Sequence, residues 1–68
     1  MAMPTDPDPS RAFALGMIEH HRGAVVMSEE ALRGPLDPEM RALATKIIGD
    51  QQREITQMED YLRRSARR

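Results

Sequence analysis

From Phe13 to Ala31 the apolar positions recur every three or four residues. With Met17 at the origin and about 100° per residue, Phe13, Met17, His20, His21, Ala24, Ser28 and Ala31 fall within about 60° of one meridian. Arg11, Glu19, Arg22, Glu29, Glu30 and Arg33 occupy the opposite half. Leu15 and Val26 break the pattern from the polar side, either as ordinary exposed apolar residues or as a second interface. A second stripe runs through Met40, Leu43, Ala44, Ile47, Ile48, Gln51, Glu54, Ile55, Met58, Tyr61 and Leu62, backed by Arg41, Thr45, Gln52, Arg53, Glu59, Asp60 and Arg63. Both stripes have the period of an amphipathic helix.

Prolines set the boundaries. Pro4, Pro7 and Pro9 alternate with Asp6 and Asp8, so residues 1–8 read as a disordered or extended tail. Asp8 can cap a first helix with Pro9 at its first position, or Ser10 can be the cap. Gly34-Pro35 ends that helix with a residue able to turn left-handed and then a breaker. Asp37-Pro38-Glu39 opens the second with a cap, a first-turn proline and a first-turn acid. The expected layout is a helix over about 9–33, a loop over 34–37 and a helix over about 38–64, within one domain over 9–66. Two such helices make an antiparallel hairpin. A loop centred near Gly34 to Leu36 makes facing residues number to about 70 together. His20 and His21 then face Gln51 and its neighbours, Met17 faces Glu54, and Phe13 faces Met58.

Size makes a lone hairpin insufficient. A 68-residue chain buries only about 60% of its unfolded surface, and such scaffolds usually need a disulfide, a metal or a partner. There is no cysteine, which removes disulfides, thiolate ligands and thiol catalysis. A hairpin leaves part of each stripe uncovered, and two hairpins complete a four-helix bundle. The expectation is therefore an all-α homodimer, or a fragment of a longer chain that supplies the second pair. The net charge of −1 does not suggest a general phosphate-backbone binder, so no nucleic-acid partner is expected. The basic run Arg63-Arg64-Ser65-Ala66-Arg67-Arg68 suits a solvated helix end. No apolar run approaches the ~20 residues of a membrane span, so no membrane insertion is expected. Met1 to Ser10 lacks the pattern of a signal peptide.

Polar groups interrupt both stripes. His20 and His21 do so in the first, Gln51 and Glu54 in the second, and a buried carboxylate needs a partner. Three readings compete. His21 and Glu54 can form a buried hydrogen-bonded pair with Gln51 beside it, a polar network that fixes helix register. The cluster can instead bind a metal. Met17 lies three or four residues from His20 and His21, Met27 lies further along, and Met58 comes from the second helix. Thioether with imidazole suits soft Cu(I) or Ag(I). Catalysis is the third reading and the least favoured. The Glu-x-x-His pairs of a di-iron bundle are absent, as are a His-Glu-x-x-His run, a glycine-rich phosphate loop and a convincing Ser/His/Asp set.

The pattern Phe13-x3-Met17-Ile18-x-His20-His21-x2-Ala24-Val25-x-Met27, followed by Leu43-Ala44-x2-Ile47-Ile48-x2-Gln51-x2-Glu54-Ile55-x2-Met58-x2-Tyr61-Leu62, resembles the DUF305 family from about Ala12 to Leu62. The resemblance implies a ferritin-like helical bundle, and a link to copper binding and copper resistance. It would make Met17, His20, His21, Met27 and Met58 the copper-type ligands. It also suggests an exported or periplasmic setting. Members of that family often carry two copies of this motif pair where this chain carries one, which fits the expected dimer or fragment. Tyr61 stands where the family usually has tryptophan.

Overall fold

The computed structural model describes residues 5–66, which form two α-helices, α1 (Pro9–Leu32) and α2 (Pro38–Ser65). They pack as an antiparallel hairpin, a single layer whose Cα trace measures 47 × 23 × 13 Å. Among the described residues there is no strand, and no helix is long and apolar enough to cross a membrane. Met1 to Pro4 of the expected tail, and Arg67 and Arg68 of the basic run, lie outside the described residues.

Both N-termini follow from local chemistry. Asp8 is the cap of α1, in extended backbone, and its carboxylate accepts from the Ser10 N–H at 2.9 Å, with Pro9 in the first helical position. Asp37 does the same for α2, accepting from the Met40 N–H at 2.8 Å ahead of Pro38 and Glu39. The tail is less free at its inner end than its prolines suggest. The Asp6 carboxylate accepts from the Asp8 N–H at 2.9 Å and from Arg11 Nε at 3.2 Å, which ties it to the first turn of α1.

The end of α1 departs from expectation. Gly34 does not turn left-handed: none of the described residues has positive φ. Arg33 closes the helix in right-handed backbone, with φ −78° and ψ −15°. The Gly34 N–H bonds the Ala31 carbonyl at 3.0 Å. The carbonyls beyond are taken up from the other helix, where the Arg41 guanidinium donates to Leu32 O at 3.1 Å and Gly34 O at 3.0 Å. A side chain from α2 supplies the cap that a left-handed glycine supplies elsewhere.

The register is also displaced. His21 meets Glu54, and Arg11 Nη1 donates to Leu62 O at 2.8 Å, so facing residues number to 75 and 73 rather than about 70. The shift is about one helical turn. It puts Met58, not Glu54, at the level of Met17.

The seam buries Ala14, Ile18, His21, Val25 and Ser28 of α1 against Ala44 and Ser65 of α2, with the remaining seam positions half-buried. The α1 spacing alternates four and three, the a/d pattern of helices packed nearly antiparallel. Its centre lies about 60° round the helix from Met17, on 100° per residue. The expected stripe shares only His21 and Ser28 with this seam and misses Ala14, Ile18 and Val25, so it lay to one side of the buried face. Its remaining members, Phe13, Met17, His20, Ala24 and Ala31, make with Met27 a second row of the same four-three spacing beside the buried seam, exposed at Phe13, His20 and Met27 and half-buried at Met17, Ala24 and Ala31. Phe13 is 61% exposed and Met27 71%. No side chain among the described residues is fully enclosed. A single helical layer has no second layer to close its core.

Candidate functional site

The two adjacent histidines are separated by the seam. His21 lies on it, only 6% exposed, with Nε2 2.6 Å from Glu54 Oε1. The Glu54 side chain is 54% exposed, so the bond runs from the buried seam to its wet edge. A carboxylate only accepts, so Nε2 carries the hydrogen. The other ring nitrogen, Nδ1, is buried without a partner. Gln51 is half-buried nearby, yet among the hydrogen bonds of the described residues none joins it to His21 or Glu54. His21 and Glu54 thus form the expected pair with Gln51 beside it, but the carboxylate expected to be buried is exposed.

His20 is exposed. It lines an open groove of about 400 Å³ with Glu19, Gly23, Ala24, Met27 and Ile47. A Cβ added at Gly23 would meet nothing within 4 Å, so the floor of the groove is open there. Met17 is half-buried one turn before His20. Met58 is half-buried and borders a second cavity with Phe13, Ala14 and Tyr61. The displaced register sets Met58 level with Met17. Met27 stands two turns beyond His20 and next to a third, apolar cavity formed with Ala31, Met40, Leu43 and Ile47. The five methionine and histidine positions therefore divide three ways. Met17 and Met58 fall at one level by register, His20 and Met27 line the same groove, and His21 is engaged by Glu54.

The donor chemistry narrows what could bind. Among the described residues no three His, Cys, Asp or Glu side chains gather into a metal cluster. An ion held here would draw on thioether sulfur together with the His20 imidazole. That set fits Cu(I) or Ag(I) and does not fit a hard cation or a carboxylate-bridged iron pair.

Three contacts were not foreseeable from the stripes. Arg22 reaches across the back of the hairpin to Glu59 at 2.9 Å. Arg11 bonds the Ser65 hydroxyl as well as Leu62 O, clamping the open end of the hairpin. Arg41 caps α1. All three arginines lie on polar faces by periodicity, and only the fold reveals their partners.

The chain matches the family described as "domain of unknown function (DUF305)" over residues 1–62. It belongs to the DUF305 family. The uncharacterized protein L153 of Acanthamoeba polyphaga mimivirus is 45% identical over 52 residues, a span of 76% of this chain and 34% of the viral protein. This DUF305 hairpin thus spans about a third of that relative. No solved structure matches it.

Proposed function

We propose that this hairpin is a non-catalytic soft-metal module that takes up Cu(I) or Ag(I), and is one half of a ferritin-like four-helix bundle formed by two copies. The observation that carries the reading is the division of the two histidines. His21 is committed to Glu54, which leaves His20 on the open face one turn from Met17 and close to the level of Met58. Two thioethers and an imidazole on adjacent turns and a facing helix form a donor set for a soft monovalent ion. Copper handling is the role this assigns.

The His21–Glu54 pair supports a second, compatible reading, a register-fixing contact that holds the level of Met17 against Met58. Ag(I) titration against a competing chelator separates the two. The metal reading expects about one ion per hairpin, and at least tenfold weaker uptake in Met17→Ala/His20→Ala. Uptake unchanged in that variant, or absent from the parent protein, defeats it and leaves the structural role alone.

A further inference from the structure

The open half of α1 has an internal symmetry that its buried half lacks. Its positions Phe13, Met17, His20, Ala24, Met27 and Ala31 pair about a midpoint at residue 22, Phe13 with Ala31, His20 with Ala24, and the two methionines with each other. When this face is turned end for end about an axis level with Arg22, each large residue meets a smaller or matching one.

We propose that a second copy of this chain docks on this face with its α1 antiparallel to the first. Phe13 then lies against the partner's Ala31, Met17 against the partner's Met27, and His20 against the partner's Ala24. Large-against-small pairing at facing positions is what lets helix layers interdigitate. The structure supplies the hole for the knob. Ala31 borders an apolar cavity of about 200 Å³, walled by Met27, Leu36, Met40, Leu43 and Ile47. Phe13 is the most exposed aromatic side chain, and it would fill that cavity in the partner. The same axis suits α2. In the observed register it sets Ile47 near the level of the partner's Met58, and Gln51 near that of the partner's Glu54.

The exposed area points the same way. A folded chain of 7.7 kDa exposes about 4,300 Å² by the usual mass scaling, whereas this one exposes 5216 Å². The surplus of about 900 Å² is comparable to the ~800 Å² each partner contributes to a standard interface. Chain ends add to any such surplus. What singles out this face is that Phe13, Met27, Met40 and Leu43 are all exposed on it or beside it. A net charge of −1 puts little repulsion between copies.

The arrangement gives Met27 a role. Resting on the soft-metal reading above, it adds the partner's Met27 to Met17, His20 and Met58, and makes two symmetry-related sites that neither copy completes alone.

The test reads docking and metal separately. The metal-free full chain is expected to sediment as a dimer at tens of micromolar. Phe13→Ala is expected to raise the dissociation constant at least tenfold, with helicity kept because Phe13 lies outside the buried seam. The natural chain has no cysteine, so Met17→Cys/Met27→Cys reports geometry cleanly. Oxidation should yield a covalent dimer, whereas Leu15→Cys/Val26→Cys on the opposite face should not. A monomeric parent chain, or a dimer that the first pair fails to link, overturns the docking. Met27→Leu should remain dimeric and bind Ag(I) at least tenfold more weakly. Parent-like Ag(I) binding by Met27→Leu removes the cross-copy ligand while leaving the metal reading standing. A parent chain that links as expected but takes up no Ag(I) defeats the metal reading and the cross-copy ligand, and leaves the docking standing.

Discussion

His21 Nε2 lies 2.6 Å from Glu54 Oε1 across the seam, and it joins the most buried polar ring of α1 to a carboxylate that is half in water. The two ends of the bond therefore differ in what their loss costs. Glu54→Ala leaves a buried N–H at the wet edge of the seam, at a cost of about 1 kcal/mol, the low end of the usual penalty because water can reach the gap. Glu54→Gln keeps a carbonyl acceptor and should cost less. His21→Leu removes both ring nitrogens, including the unpartnered Nδ1, and leaves Glu54 hydrated. It should be nearly neutral or stabilising. Urea midpoints at one fixed protein concentration check the order, His21→Leu above Glu54→Gln above Glu54→Ala. A Glu54→Ala midpoint equal to that of the parent would mean the bond contributes nothing net.

The partnership of His21 with Glu54 is legible in the sequence, but for only half of the right reason. Phase places both residues toward the facing helix, and phase depends only on the helical period. Register depends on the path of the loop, which no periodicity encodes, so facing residues sit about one turn from where a symmetric turn would put them. The caps at Asp8 and Asp37 are legible because each bond spans two or three residues. The face that is buried is less so. A stripe that serves two seams averages their directions, and the hairpin covers only the one centred on Ala14, Ile18, His21, Val25 and Ser28. The split between His20 and His21 follows, since adjacent residues 100° apart fall on different seams.

The end of α1 offers a sharp discrimination at Gly34. A left-handed glycine replaced by alanine loses about 1 kcal/mol or more, because the Cβ resists positive φ. Here φ is not positive, and an added Cβ would meet Ala31 O at 3.5 Å, an ordinary contact. Gly34→Ala should therefore be neutral or stabilising by about 0.4–1 kcal/mol, through the unfolded chain. Arg41→Ala, by contrast, strips the Leu32 and Gly34 carbonyls of their guanidinium and should cost about 1 kcal/mol. Chemical denaturation of the two single variants checks the signs. A destabilised Gly34→Ala would contradict the right-handed end of α1.

Acid should loosen the protein through two aspartates. The backbone N–H of Asp8 holds the Asp6 carboxyl below its ordinary 3.8 against the opposing effect of burial, with the hydrogen bond and charge of Arg11 adding to the lowering. Asp50 is held below 3.8 first by its hydrogen bond from Lys46 at 2.6 Å, against the opposing effect of burial, with the charges of Lys46 and Arg53 adding to the lowering. In both cases the folded chain binds fewer protons than the unfolded one. The stabilisation is fully present above 3.8 and is lost as pH falls through the lower folded values. Both carboxylates lie half-buried at the surface and their cationic partners are within reach of solvent, so each effect is small and should shrink further in high salt. Asp6→Asn and Asp50→Asn should each flatten the decline in melting temperature between about pH 5 and pH 3. Asp6→Ala, which removes the acceptor of the Asp8 N–H and the partner of Arg11, should release the tail from the first turn of α1, read as faster amide exchange at Asp8. Parent-like steepness in both variants would place the acid sensitivity on other carboxylates.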